Sequence, residues 1–419
     1  MIGLILILAL FLRLINLDQP LWLDEAIQFK AISQFSLPEL FKVYLPTDFN
    51  PPLSYLVNFY FSQLVGYSEI ALRLPSVIFG VVTVWLVYKL GGKWPALLLA
   101  TSGLHIYYSQ EARMYSLVTL AVTASFWALL NKKWFVYTVA SLAALYSHYL
   151  AVFIFPAQLG WVKKTEVKPL MLAWLVIAVG FFPWLPTFIK QLAGGQAVGG
   201  TVWGGVIGGL SLKNVLLVPV KFLIGRVSPD NNYLFAAVMV LPLLFTGWLL
   251  LRGIRRSKLV AAWLLIPAFL IMLICLFIAV LSYFRLLFFM PAFYLLLAVK
   301  TSSRVLEVFL IFNLITSGIY LFNPKFHRED WRDLARALSQ VDQPVVIIPA
   351  VDAALKYYYA GNNVVSNETV PEAEFWYIPY GEPIFDPDLN FRRQAAEAGF
   401  KEVVVEHFRG NLTLIQYKK

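Results

Sequence analysis

Three short clusters hold the groups in this chain that could do chemistry. The first is Pro20-Leu21-Trp22-Leu23-Asp24-Glu25-Ala26. A carboxylate held beside a Leu-Trp-Leu ledge is partly desolvated, which raises its basicity and suits it to take a proton from an alcohol. The same residues also read as a helix start capped by Asp24, with Trp22 in an interfacial aromatic belt. The second cluster runs from Tyr107 through Tyr108, Gln110, Glu111 and Arg113 to Tyr115. Glu111 and Arg113 cannot both face lipid, so they are expected to pair with each other or with polar groups of the first loop; a purely structural ion pair is the plain alternative. The third is Ser282-Tyr283-Phe284-Arg285. A guanidinium at the end of an apolar run either snorkels to the interface or binds an anion such as a phosphate. His148 is a hydrogen-bond donor at the same level or an interfacial histidine, and Arg13 and Arg73 lie at that level too.

These groups stand out because the rest of the chain is so apolar. Of 419 residues, 59% are hydrophobic and 14% charged, with a mean hydropathy of +0.69. A soluble domain carries about 25% charged residues. The composition is that of a polytopic membrane protein, and it excludes a disordered chain, a collagen-like chain and a disulfide scaffold, Cys275 being the only cysteine. The net charge of +10 divides unevenly, with 23 Lys and Arg against 10 Asp and Glu in residues 1–322, and 11 against 14 beyond. The positive excess sits in short loops between apolar runs. That is a topology signal and not a nucleic-acid footprint.

Apolar runs predict eleven spans: 1–16, 72–90, 94–108, 115–130, 134–147, 149–162, 168–190, 233–252, 259–281, 284–300 and 304–322. A cytoplasmic N-terminus puts Lys89, Lys93, Lys132, Lys133, Lys163, Lys164, Lys168, Arg252, Arg255, Arg256, Lys258, Lys300 and Arg304 on one side, as the positive-inside rule requires. Asp18, Asp24, Glu25, Asp48, Glu69, Glu111 and Asp230 then face outward. The first span lacks a basic start and a cleavage-site pattern, so it is expected to be a retained helix.

Two outer loops are long. Residues 17–71 contain Leu53 to Val65, with Tyr55, Phe59 and Tyr60, which reads as an interfacial helix. Residues 191–232 open with a Gly-rich stretch, Gly194 to Gly209 around Trp203, expected to be a lid or a linker, and continue into a second interfacial helix, Leu212 to Arg226. The expected organisation is a transmembrane domain over 1–322 and a small outward α/β domain over 323–419. The tail has helical patches at Trp331 to Leu338 and Arg392 to Ala398, and strand patches at 344–348, 375–378, 402–406 and 412–417.

Together, Arg13-Leu-x-x-Leu-x-x-Pro20-Leu-Trp-Leu-Asp24-Glu25-Ala, Asn50-Pro-Pro-Leu-x-Tyr55, Leu72-Arg73-Leu-Pro75-Ser, Tyr108-Ser-Gln-Glu111-Ala-Arg113-Met-Tyr115 and Ser147-His148-Tyr149 form an ordered set. The set resembles the integral-membrane GT-C glycosyltransferases of the dolichyl-phosphate-mannose–protein mannosyltransferase superfamily. The resemblance extends over about residues 1–330, including Arg285 and Glu329-Asp330-Trp331-Arg332. It implies a polyprenyl-phosphate sugar donor used at the outer face of the membrane. It further implies Asp24 as catalytic base with Glu25 as its neighbour, and Glu111 as a second acidic or positioning residue. Arg285 and Arg113, with Arg73 and Arg13 behind them, are then the cations for the leaving phosphate, and Tyr55, Tyr115 and His148 complete the substrate contacts. The chain is shorter than the protein mannosyltransferases and the lipid A aminoarabinose transferases and lacks a large mid-chain insertion, so their acceptors do not carry over. Some members use a divalent cation, which would sit beside Asp24 and Glu25. With no dedicated ligand set in the sequence, no metal or other cofactor is expected to be obligatory. Besides the donor, the partners expected are membrane lipids and an acceptor of unassigned class. The alternatives are a transporter or flippase of lipid-linked saccharide, which would need a polar path through the midplane, and a catalytically silent relative.

Overall fold

Long apolar runs leave their backbone groups no partner except one another, so they fold as helices. In the computed structural model, which describes residues 1–199 and 208–419, every expected span is helical over most of its length. Four helices are long and apolar enough to cross a membrane: Glu69–Gly91, Lys164–Gln196, Tyr233–Arg256 and Ser303–Phe322. Six shorter apolar helices, among them Ile2–Leu14, Tyr115–Leu130 and Lys258–Ile274, accompany them among the described residues. The chain is a polytopic helical membrane protein with a small C-terminal sheet.

Two spans differ from expectation for identifiable reasons. The run 94–108 is two helices, Lys93–Thr101 and Gly103–Ser109, broken at Ser102. A break leaves carbonyls without their helical donors. Here Asn313 Nδ2 donates to the Leu98 carbonyl at 2.9 Å and Arg13 Nη1 to the Ala100 carbonyl at 3.1 Å. The span expected at 284–300 starts late, with a 3-10 turn at Leu287–Phe289 and a helix at Met290–Ala298 that has Pro291 in its first turn. Arg285 therefore lies in irregular chain between helices. Residues 194–199, which open the Gly-rich stretch expected to be a lid or a linker, belong to the helix Leu185–Gly199; residues 200–207, Trp203 among them, lie outside the described residues.

Helices form at both places where interfacial helices were expected, the second ending two residues early. Leu53–Val65 follows Pro51-Pro52 and stops at Gly66, whose φ of +90° suits a residue without a side chain. Leu212–Ile224 stops at Gly225, with φ +68°.

The chain divides into two units. One comprises residues 1–17 and 35–322; the other comprises residues 18–34 together with 323–419. The second unit thus takes in the helix Leu23–Gln34, a segment expected in the first outer loop of the membrane domain. Its sheet has the order β2-β1-β3-β5-β4, from β1 (Val345–Ile347), β2 (Val364–Ser366), β3 (Phe375–Ile378), β4 (Lys401–Phe408) and β5 (Leu412–Lys418). β1 runs parallel to β2 and β3, while β5 runs antiparallel to β3 and β4. Phe375, Tyr377, Phe391, Phe400, Ile415 and Tyr417 form its core. Within the same unit, Leu23–Gln34 packs on the helix Ala353–Tyr358. Phe29 meets the Tyr357 ring edge-on at 4.7 Å, and Lys30 pairs with Asp352 at 3.3 Å.

Candidate functional site

In the first unit, the short turn between Gly103–Ser109 and Tyr115–Leu130 presents Glu111 and Arg113, both buried. The turn is closed by the Arg113 N–H, which donates to the Glu111 carbonyl at 2.8 Å. At its base the rings of Tyr108 and Tyr115 meet edge-on at 5.0 Å, and Phe284 packs on Tyr115 at 5.5 Å. The half-buried Arg285 lies over the Phe284 ring at 5.8 Å. The second and third sequence clusters are thus one structural cluster, joined through Phe284.

His148 and Tyr55 belong to the same neighbourhood. The positive charges of both Arg285 and Arg113 reach His148, and that of Arg113 also reaches Tyr55. His148 follows the helix Trp134–Ser147 in extended conformation, and its Nδ1 accepts from the Leu150 N–H at 3.2 Å. A neutral ring held this way keeps its proton on Nε2, as a donor. Tyr55 is fully buried, and its hydroxyl donates to Asp48 at 2.7 Å. Asn50 Nδ2 adds a bond to the same carboxylate at 3.3 Å.

Arg226, which the sequence clusters omit, joins this group. Its guanidinium lies over the Tyr107 ring at 4.8 Å and donates to the Tyr283 hydroxyl. Gly225 makes this placement possible, because a Cβ there would fall 2.8 Å from the Leu104 nitrogen and 2.9 Å from the Gly103 carbonyl carbon. The available signal in the sequence was a lone arginine directly after an apolar helix and a glycine.

Arg13 and Arg73 are fully buried in the same unit, and Gln110 of the turn donates to the Arg13 carbonyl at 3.1 Å. Arg13 spans the break at Ser102, donating also to the Ala9 carbonyl at 2.8 Å and contacting His105 Nδ1 at 2.6 Å. Arg73 Nη1 donates to the Leu17 carbonyl at 2.8 Å. Both guanidiniums thus donate to backbone carbonyls.

Asp24 and Glu25 lie in the second unit, in the first turn of Leu23–Gln34. Asp24 is half-buried, whereas Glu25 is fully buried and pairs with Arg328 at 3.2 Å. Arg328 is fixed in turn, its N–H donating to Gln19 Oε1 at 3.1 Å and its carbonyl accepting from Arg409 at 2.9 Å. Arg328 immediately precedes Glu329-Asp330-Trp331-Arg332, yet no spacing rule tied it to Glu25.

Chemically, the cluster of the first unit offers three guanidiniums, a histidine donor and a floor of aromatic rings. Such a group can hold a phosphate and stabilise charge that develops on it, because fixed donors in a partly desolvated site need no reorganisation.

Neither models of protein families nor curated proteins match this chain. Two crystal structures of ArnT from Cupriavidus metallidurans share its fold. The one bound to undecaprenyl phosphate superposes with a TM-score of 0.57 at 10% identity, covering 99% of this chain and 97% of that one. The apo structure gives 0.56 at 11% identity with the same coverage. The fold of this chain is the GT-C fold.

Proposed function

We propose that this chain is an inverting glycosyltransferase that moves a sugar from a polyprenyl-phosphate donor to an acceptor hydroxyl at the outer face of the membrane. The observation that carries this reading is the gathering of Arg113, Arg285 and Arg226 with His148 and the Tyr108, Tyr115 and Phe284 rings in the first unit. The fold shared with a protein crystallised with undecaprenyl phosphate supports the choice of donor.

In this reading the guanidiniums take the leaving phosphate. A phosphate monoester leaves readily once its charge is met, so the protein's main contribution is fixed positive charge. The acceptor hydroxyl attacks the anomeric carbon from the opposite face through an oxocarbenium-like state, as in inverting glycosidases. Asp24 is assigned as the base that takes the hydroxyl proton. The pairing of Glu25 with Arg328 supports choosing Asp24 over its neighbour. Glu111 and Tyr55 are assigned to positioning the donor sugar, and the basic loops on the other side support the outward orientation.

The test is transfer or slow donor hydrolysis by the purified protein in nanodiscs, offered a panel of polyprenyl-phosphate sugars, with Asp24→Asn alongside. Turnover of one donor that disappears in Asp24→Asn, with donor binding kept, is expected. Donors that bind without turnover in either protein would overturn the reading.

A further inference from the structure

The second unit carries a cleft of about 900 Å³ whose lining includes none of the residues assigned to the transfer reaction. One wall is a single face of the helix Trp331–Leu338, where Arg332, Arg336 and Ser339 follow one another at i, i+4 and i+7. The other wall is Tyr358, Tyr359 and the turn that carries Asn362, with Asp342 at one end.

Both walls are held in place. Tyr358 accepts from the Leu21 N–H at 2.8 Å, and Arg332 lies over its ring at 5.9 Å while donating to the Asp18 carbonyl at 2.8 Å. The Tyr359 hydroxyl donates to Asn363 at 2.7 Å, and the Asn363 amide is anchored on the Val341 and Gln343 carbonyls at 2.9 and 2.8 Å. Gly361 leaves room for the ring in this position, since a Cβ there would fall 2.3 Å from the end of the Tyr359 ring. Among the described residues, the exposed Asn362 amide and Asp342 carboxylate make no hydrogen bond to the protein.

Fixed aromatic rings beside planar amide, carboxylate and guanidinium groups match one ligand chemistry well. A sugar ring lays its C–H face on an aromatic ring and gives its neighbouring hydroxyls to planar side chains that accept and donate in pairs. The volume is near the top of the ~300–1,000 Å³ range of small-molecule sites, which is more than one ring needs. We propose that this cleft is a carbohydrate-binding site for a short oligosaccharide, with Tyr359 as stacking platform and Asn362 and Asp342 as hydroxyl ligands. This reading is independent of the transferase assignment, because binding is read without donor or turnover.

Calorimetric titration of the full-length protein in nanodiscs with cellotetraose and with tetragalacturonate tests it. The expected result is millimolar or tighter binding of at least one. That binding weakens about tenfold, the loss expected for one good hydrogen bond, in Asn362→Ala, and in Gly361→Ala, which displaces the Tyr359 ring. Arg336→Ala separates the two probes, weakening only the acidic one. Asn362 is exposed, so its replacement leaves the fold intact. Failure of both tetrasaccharides to bind, or binding unchanged in Asn362→Ala and Gly361→Ala, would overturn the proposal.

Discussion

Arg328 approaches Glu25 to 3.2 Å with both side chains buried, so an ion pair joins the two stretches of sequence that make up the second unit. A buried pair contributes little net stability compared with apolar residues, but removing one partner strands a charge and costs about 3–5 kcal/mol. Arg328→Ala should therefore lose that much protection from hydrogen exchange in the helix Trp331–Leu338. Adding Glu25→Gln should restore part of it. Equal loss in the single and double variants would show that the pair is not the source.

Arg113 and Arg285 should act on donor binding. Charged hydrogen bonds contribute about 1.5–3 kcal/mol, so Arg113→Ala and Arg285→Ala should each weaken polyprenyl-phosphate binding roughly 10- to 100-fold. Arg285→Lys should recover only part, because an ammonium keeps the charge and loses the two-pronged geometry. Binding to the protein in nanodiscs measures both.

Gly225→Ala should lower the melting temperature and weaken donor binding together. A φ of +68° with a ψ of −139° is a conformation that glycine alone adopts readily, and it costs a residue with a Cβ about 1–3 kcal/mol. The close approach to Gly103 and Leu104 adds to that and moves Arg226 away from Tyr107. Gly209→Ala, with nothing within 4 Å of the new Cβ, is the matched control and should change stability by no more than about 0.5 kcal/mol.

Asp386 should give the second unit an acid-dependent loss of stability. Burial pushes its carboxyl up, but the N–H groups of Phe391 and Asn390 and the Asn390 amide outweigh it, so the group sits below the usual carboxylate range. A depressed value means that the stabilisation is fully present above the unfolded pKa of about 3.9 and fades as pH falls through the lower folded value. Hydrogen exchange of residues 390–397 should then differ between wild type and Asp386→Asn at neutral pH, and the difference should shrink once the pH is well below 4.

The helices were legible in the sequence because hydrocarbon leaves an apolar run few other conformations. Trp331–Leu338, Leu53–Val65 and the strand at Phe375–Ile378 have the expected bounds. The break at Ser102 was not legible, because it depends on Asn313 and Arg13 arriving from distant helices to satisfy the freed carbonyls. Arg13, expected behind the phosphate cations, also meets the freed Ala100 carbonyl, because a buried guanidinium binds whatever oxygens meet it. The grouping of Arg113 with Phe284 and Arg285, and the place of Leu23–Gln34 beside the tail, are long-range contacts that no local pattern encodes.

The interleaving of the two units has a consequence for biosynthesis. The helix Leu23–Gln34 leaves the ribosome early, whereas its partners begin at residue 323, close to 290 residues later. At about 5–20 residues per second this is a wait of roughly 15–60 s. Throughout it Glu25 has no Arg328, and Phe29 has no Tyr357. The helix must wait for these partners while the whole bundle is inserted. A nascent chain stalled or truncated near residue 322 would therefore display an orphaned helical segment with a naked carboxylate, a mark by which quality-control proteases could tell unfinished copies from finished ones.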